Sequence, residues 1–150
     1  MKPDKTISIE SVGEGDVPAL YGLLQESGLP VDGLNAHLST ALVAKAGTQI
    51  VGSAALELYG HAALLRSVAV AESVRGTGLG RQLMEAALET ARQHRAQRLY
   101  LLTETAAEWF PRFGFVPVER SAVEPAVQQS VEFTGACPDS AQAMLLELRN

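Results

Sequence analysis

Alternation of apolar and polar residues with a period of two runs through much of the chain and is typical of half-buried β-strands. The first such segment covers residues 6–11. The leucines that follow recur instead at helical spacing, which predicts a helix over residues 17–27, ended by Gly28 and Pro30. A shorter helical turn is predicted over residues 32–38.

Three apolar runs come next in quick succession, at residues 41–46, 50–59 and 62–70. Short turns that contain Gly47 and Gly60 separate them. Runs of this length joined by glycine turns favour consecutive strands. The pattern therefore predicts an antiparallel meander.

The period then changes to that of a helix, because residues 78–95 place apolar side chains on one face and charged ones on the other. A compact apolar strand is predicted over residues 98–103. A short helix is predicted over residues 105–113, with Thr105 and Glu108 matching a capping box at its start. An amphipathic helix thus lies between two strands.

The C-terminal third is less regular. We predict a strand over residues 115–118 and a last strand over residues 143–148. Residues 119–139 mix proline, glycine and both polarities, so they are expected to be largely irregular. From residue 41 to residue 118 the predicted element order is β-β-β-α-β-α-β. The absence of repeats or low-complexity tracts favours a single domain over residues 1–150.

Composition narrows the classes of partner. A chain of 150 residues, 47% of them hydrophobic, can bury a real core. Its 17 acidic and 12 basic residues are not gathered into runs, which argues against nucleic acid and against a membrane surface. No apolar stretch approaches the roughly 20 residues of a membrane span, and residues 1–5 do not lead into a signal sequence. We expect a cytoplasmic protein whose partner is a small molecule.

Metal chemistry is not favoured. Cys137 is the single cysteine, so neither an intramolecular disulfide nor a cysteine-based zinc site is expected. His37, His61 and His94 form no spacing motif. We predict no metal and treat Cys137 as a small buried side chain.

The densest chemical signal is Arg-Gly-Thr-Gly-Leu-Gly-Arg at residues 75–81, between a predicted strand and a predicted helix. Backbone N–H groups at such a helix N-terminus can hold phosphate, although a tight β–α connection is the simpler alternative. A P-loop needs Lys then Ser or Thr after its last glycine, and this chain has Arg81 and Gln82. A dinucleotide fingerprint needs Gly-x-Gly-x-x-Gly, whereas these glycines are each two apart.

The segment instead matches the pattern Arg/Gln-x-x-Gly-x-Gly/Ala at Arg75, Gly78 and Gly80, after a strand that carries Val68 and Val70. In this it resembles the GNAT superfamily of N-acetyltransferases. The resemblance implies an α/β (α+β) fold with a mixed, mostly antiparallel sheet of about six to seven strands and about four flanking helices. It also implies acetyl-CoA as the cosubstrate and, as is common in that family, a possible homodimer.

By the same resemblance, the pantetheine arm of the cosubstrate would pair with the backbone of Val68, Ala69 and Val70. The N–H of Val68 would stabilise the oxyanion that forms on the thioester carbonyl. The pyrophosphate would be held by the loop that follows, namely Arg75, Gly76, Thr77, Gly78, Leu79, Gly80 and Arg81.

Residues 103–115 resemble the second conserved segment of the family, which closes at Gly114 and Phe115. Many members place a tyrosine four residues before that glycine to protonate the departing thiolate, and this chain has Phe110 there. Phenylalanine cannot donate a proton. The thiolate would then be protonated by another group or by water, and the candidate hydroxyl side chains are Thr103, Thr105 and Tyr59.

A finer resemblance rests on residues 64–70, 100–106, 130–133 and 137–141. These runs are similar to the arsenic-resistance branch of the family and to the acetyltransferase domain of bacterial N-acetylglutamate synthases. Both relatives imply an amino-acid-like acceptor with acidic character, such as glutamate, arsinothricin or phosphinothricin. A biosynthetic enzyme acting on glutamate and a non-catalytic acyl-CoA-binding sensor stay open as alternatives.

An acidic acceptor needs a cation, and Arg66 stands two positions before Val68. Strand alternation would place Arg66 on the same face, about 7 Å away. A solvent-facing ion pair with Glu57 is the alternative for Arg66. Glu57 is the predicted base for the acceptor amine, unless it lies on a solvated strand face. Further predicted contacts to the acceptor are Ser67, Tyr59 and Glu132.

Overall fold

The computed structural model describes residues 6–148. Seven strands in this part of the chain form one mixed sheet in the order β1-β2-β3-β4-β5-β7-β6. They are β1 (Ile7–Ser11), β2 (Ala41–Ala46), β3 (Gln49–Tyr59), β4 (Ala62–Val70), β5 (Arg98–Thr103), β6 (Val116–Val118) and β7 (Gln142–Glu147). Pairing is parallel between β4 and β5 and antiparallel at β1/β2, β2/β3, β5/β7 and β6/β7. The predicted fold class is confirmed.

The α-helices of the described residues are α1 (Val17–Glu26), α2 (Leu79–Gln93) and α3 (Pro125–Gln128). None of the helices within residues 6–148 has the length and apolar character that crossing a bilayer requires. The helix predicted at residues 32–38 is a 3-10 helix, Leu34–Thr40.

The chain divides into two compact units. Among the described residues, the first unit comprises 6–55 and 67–88, and the second comprises 56–66 and 89–148. Their boundaries fall inside β3 and β4, so both strands run through both units. The single-domain assignment over residues 1–150 stays a prediction.

The first unit fixes the start of α2 against the sheet. Leu79 and Leu83 of α2 are buried in one cluster with Ala44 and Val51 of the sheet. A Cβ on Gly52 would lie 2.8 Å from Cδ1 of Leu83, so a larger residue would force that side chain to shift, and glycine allows the helix to pack closely on β3. The glycine-rich loop before α2 is therefore anchored at its C-terminal end.

The second unit has its own core. Leu64 of β4, Tyr100 of β5 and Ala143 of β7 pack with Val127 of α3. β5 and β7 pair over their whole lengths, from Arg98 opposite Glu147 to Thr103 opposite Gln142.

The helix predicted over residues 105–113 is wrong in extent, because only Phe110–Phe113 forms a helical turn, of the 3-10 type. No helix begins at Thr105. The hydroxyl oxygen of Thr103 accepts the N–H of Ala106 at 3.0 Å and so closes a turn directly after β5.

Residues 119–139 hold more structure than predicted. A 3-10 turn (Arg120–Ala122), α3 and a π-helical turn (Glu132–Ala136) follow one another. The guanidinium of Arg120 donates to three backbone carbonyls, which lie 3.2 to 3.4 Å away on Phe133, Pro138 and Ala141. This side chain ties the segment together without a long helix.

Candidate active site

The glycine-rich loop takes a conformation that few other residues adopt. Gly76 and Gly78 have φ angles of 80° and 87°. A Cβ placed on either would meet no protein atom within 4 Å. Glycine is required here for its backbone conformation, and the space above both residues is open.

Two side chains of the loop stabilise it through hydrogen bonds to backbone carbonyls. Nε of Arg75 donates to the carbonyl of Val70 at 3.2 Å, and the hydroxyl of Thr77 donates to the carbonyl of Val74 at 2.6 Å. These bonds hold the loop between β4 and α2 in one shape.

The N-terminus of α2 follows directly from this loop. The N–H of Gln82 donates to the carbonyl of Gly78 at 3.1 Å and closes the first helical turn. The N–H groups of Leu79, Gly80 and Arg81 precede that bond, so they have no partner within the helix. Together with the helix dipole they form a site suited to an anion.

Strand β4 carries an irregularity just before the residues predicted to hold pantetheine. Ser67 has φ 59°, in the left-handed region that non-glycine residues seldom occupy. The hydroxyl of Ser53 on β3 donates to the Ser67 carbonyl at 2.7 Å, and both residues are buried. Beyond it, Val68 and Val70 are half-buried and Ala69 is buried.

The parallel ladder joins only the first part of β4 to β5. Its pairs run from Ala62 opposite Arg98 to Leu64 opposite Tyr100. β4 itself continues to Val70. The backbone at Val68 thus lies past the end of this ladder.

Four of the predicted acceptor-site residues come together in the second unit around Arg66. One of its Nη atoms lies 2.8 Å from an oxygen of Glu57, and its Nε lies 3.4 Å from an oxygen of Glu132. The other oxygen of Glu57 accepts the hydroxyl of Tyr59. The side chains of Arg66, Glu57 and Glu132 are 0%, 1% and 4% exposed.

This geometry corrects two expectations. Glu57 does pair with Arg66, but neither side chain faces solvent. The alternation from Arg66 to Val68 is also interrupted, because Ser67 between them has a positive φ. Arg66 is therefore held between two carboxylates instead of being available as an unpaired cation.

Burial changes the proton affinities in this cluster. Burial is the main cause that raises the pKa of Glu132 to about 7; Arg66 opposes the rise and the charge of Glu57 adds to it. Burial and the hydrogen bond to Glu57 raise the pKa of Tyr59 to about 12. Burial, followed by the charge of Glu132, raises the pKa of Cys137 to about 12. Glu132 is thus the member of the cluster that titrates near neutral pH.

The position of the missing tyrosine is part of an aromatic core. Phe110 is buried, with its ring centroid 5.0 Å from that of Trp109 and 5.8 Å from that of Phe115. The alternative proton donor Thr103 accepts the N–H of Ala106.

Ser53 is the residue of this region that the sequence reasoning missed. It interrupts an otherwise apolar stretch of β3, and that interruption was the available signal. Within residues 6–148 no group of three or more His, Cys, Asp or Glu side chains is placed to hold a metal ion.

Comparison with known proteins agrees with this geometry. Residues 37–117 match the family model described as an acetyltransferase (GNAT) domain. An amino-acid acetyltransferase of Mycobacterium tuberculosis (strain ATCC 25618 / H37Rv) is 36% identical over 81 residues. That match covers 53% of this chain and 45% of the relative, so the chain corresponds to less than half of that protein.

Solved structures extend the likeness to nearly the whole chain. N-acetylglutamate synthase from Neisseria gonorrhoeae, complexed with coenzyme A and N-acetyl-glutamate, superposes with a TM-score of 0.82 at 21% identity, over 99% of this chain and 36% of that one. Rv2747 from Mycobacterium tuberculosis, in complex with CoA and NLQ, gives 0.80 at 25% identity, over 95% of this chain and 99% of that one. The loop, the sheet and the family match lead to one conclusion: the chain belongs to the acetyltransferase (GNAT) domain family, as the resemblance at residues 75–81 predicted.

Proposed function

We propose that this protein transfers the acetyl group of acetyl-CoA to the amine of an amino acid. The observation that carries the proposal is the open, glycine-lined N-terminus of α2 directly after the irregular strand β4. The named activity of the Mycobacterium relative and the CoA in the Rv2747 complex support it.

The donor binds along β4 and the loop that follows. Backbone groups of Val68 and Val70 pair with the pantetheine arm, since the ladder to β5 ends before them. N–H groups of residues 75–81 hold the pyrophosphate, and the exposed side chains of Arg75 and Arg81 add charge-assisted bonds to it.

The amine attacks the thioester carbonyl directly. A C–N bond forms, the carbonyl oxygen becomes an oxyanion held by the N–H of Val68, and the C–S bond then breaks to release the thiolate. The proton of the amine passes to the hydroxyl oxygen of Tyr59 while Tyr59 gives its own proton to Glu57. The departing thiolate takes a proton from the hydroxyl of Thr103, which regains one from solvent, while Glu57 returns the proton of the amine to solvent.

An acidic acceptor would bind Arg66 by displacing the carboxylate of Glu132. The contact from Nε of Arg66 to Glu132, at 3.4 Å, is longer than the 2.8 Å contact to Glu57 and longer than a strong charge-assisted bond. Glu132 also takes up a proton near neutral pH. We therefore assign the acceptor carboxylate to the place of Glu132 on the guanidinium, which favours glutamate or its arsenical and phosphinic mimics, the substrates of an arsenic-resistance enzyme.

Thiol release from acetyl-CoA tests the proposal against a panel of glutamate, phosphinothricin, arsinothricin and neutral amino acids. We expect release that depends on an amino acid and is fastest with an acidic one. A preference for glutamate over its mimics would favour a biosynthetic role, and the reverse would favour resistance.

One observation favours a second candidate, an acyl-CoA-binding sensor. Phe110 lies buried in the aromatic core at the position where relatives have their acid. A sensor would bind acetyl-CoA with an ordinary affinity and release no thiol with any acceptor of the panel.

A further inference from the structure

Ser53 is not among the predicted site residues, yet its side chain contacts Ser67, the residue of β4 with a positive φ angle. Its hydroxyl donates to the carbonyl of Ser67 at 2.7 Å, and only 1% of Ser53 is exposed. A buried hydroxyl in an apolar strand is costly unless its hydrogen bond is made, so this bond is a specific feature of the site.

The conformation that the bond holds is strained. Ser67 has φ 59°, and a non-glycine residue in that region persists only where the surroundings impose it. Ser53 supplies such a restraint, because its hydroxyl holds the Ser67 carbonyl at 2.7 Å from the neighbouring strand β3.

The same peptide unit carries the N–H of Val68. The described chain has no cis peptide bond, and in a trans peptide the C=O and the following N–H point in opposite directions. A hydrogen bond that draws the Ser67 carbonyl toward Ser53 on β3 therefore directs the Val68 N–H away from β3.

We propose that Ser53 is a positioning residue for acetyl transfer: by holding the Ser67 carbonyl it aims the Val68 N–H at the thioester carbonyl of acetyl-CoA. This inference rests on the proposed function. Beyond that function, the inference is that the Val68 N–H, which stabilises the oxyanion, is held in position by the side chain of Ser53 on β3, and that Ser53 itself touches neither substrate. Preorganised donors of this kind need no rearrangement at the moment of reaction.

Ser53→Ala removes the hydroxyl, and Ser53→Cys keeps a weak donor in its place. The matched control is Thr40→Val, which removes another buried hydroxyl that donates to a backbone carbonyl of the first unit, that of His37 at 3.3 Å. Three quantities are measured for each variant: acetyl-CoA affinity, kcat at saturating acceptor, and the infrared carbonyl frequency of bound acetyl-CoA labelled with ¹³C in its acetyl group.

For Ser53→Ala we expect acetyl-CoA affinity within about twofold of wild type and kcat lower by about tenfold, short of the 10²–10³ that loss of a whole oxyanion donor costs. The carbonyl band should move toward that of free acetyl-CoA. Ser53→Cys should give intermediate values, and Thr40→Val should change none of the three quantities.

Wild-type kcat and an unshifted carbonyl band in Ser53→Ala would overturn the inference. If that variant does not fold, the same result in Ser53→Cys overturns it. A wild-type protein that binds acetyl-CoA without releasing thiol would contradict the proposed function instead, and the carbonyl frequency would still decide the role of Ser53.

Discussion

Arg66 is surrounded by more negative charge than it can neutralise. With Glu57 and Glu132 both ionised, the buried cluster carries one excess negative charge, and burial makes that charge unfavourable. Protonation of Glu132 removes the excess, which explains why burial raises the pKa of Glu132 to about 7 although a guanidinium lies beside it.

Glu132→Gln should abolish a pH dependence of stability. Between the ordinary pKa of 4.5 and about 7 the folded protein binds a proton at Glu132 that the unfolded chain does not bind. Stability therefore falls as pH rises through this window and is level above it, with a total loss on the order of 3 kcal/mol.

Urea unfolding of wild type and Glu132→Gln at a series of pH values from 4.5 to 8 measures this difference. As pH rises, the unfolding free energy of the wild type should fall relative to that of Glu132→Gln, because only the wild type can lose the proton at residue 132. Glu85→Gln, on the exposed face of α2, is the control and should follow the wild type. Parallel profiles for wild type and Glu132→Gln would refute the assigned titration.

Gly78→Val should weaken acetyl-CoA binding by at least about tenfold, because a side chain would occupy the open space at the N-terminus of α2 and displace charge-assisted bonds. Gly47→Val is the matched control. Gly47 also has a positive φ, 64°, and open space around it, but lies in the turn between β2 and β3.

Calorimetric titration with acetyl-CoA gives the comparison. Both variants should lose stability through backbone strain, and only Gly78→Val should lose affinity. Equal affinities in the two would show that the pyrophosphate is not held at Gly78.

The sequence was informative about single residues where local chemistry decides their role. Gly76 and Gly78 do have positive φ angles, which suit the tight β–α connection indicated by the sequence, while their role in holding pyrophosphate stays a prediction. The surroundings of Arg66 could not be predicted from the sequence. Glu132 contacts it from a segment 66 residues further along the chain, and the positive φ of Ser67 interrupts the strand alternation. Neither tertiary contact leaves a periodic signal.

At the scale of elements, the segment after β6 depends on one side chain. The guanidinium of Arg120 joins the carbonyls of Phe133, Pro138 and Ala141 and lies 5.3 Å from the centre of the Phe133 ring. The same segment carries Glu132, so its order bears on the proposed acceptor site.

Arg120→Ala should loosen residues 133–141, at a cost of about 1 to 3 kcal/mol in stability, because three carbonyls lose a charged donor. Hydrogen exchange resolved by residue should rise there and stay unchanged in β2. Arg112→Ala is the control, since Arg112 donates only within its own turn, to the carbonyl of Trp109, and stacks on that ring. Unchanged exchange at residues 133–141 in Arg120→Ala would contradict this role.

Strands were the elements predicted best. The bounds of β2, β4 and β5 agree with the pattern, and β3 begins one residue earlier than predicted, because glycine turns at 47 and 60 separate these strands. The helix over residues 105–113 was wrong, since only Phe110–Phe113 forms a helical turn and the residues before it form bends and turns. Periodicity does not reveal the contact just after β5, in which the hydroxyl of Thr103 accepts the N–H of Ala106.

At the scale of the whole molecule, two compact units share the continuous strands β3 and β4. When one unit unfolds, the parts of β3 and β4 that belong to it lose their packing, and this disturbs the same strands in the other unit. We expect the units to unfold together, as the single-domain prediction requires.

Differential scanning calorimetry tests this expectation. A single transition should appear, with its calorimetric enthalpy equal to the van't Hoff enthalpy. Two resolved transitions, or a calorimetric enthalpy well above the van't Hoff value, would show that the units are separate domains.

The central claim, acetyl transfer from acetyl-CoA to an amino acid amine, is tested most directly by the mass spectrum of the product. The protein is incubated with glutamate and with acetyl-CoA that carries ¹³C in its acetyl group. We predict that the labelled acetyl group appears on the amine of glutamate, with one thiol released for each acetyl group transferred. Acetyl-CoA that is bound by the protein but recovered intact, with glutamate and with every other amino acid supplied, would contradict the account.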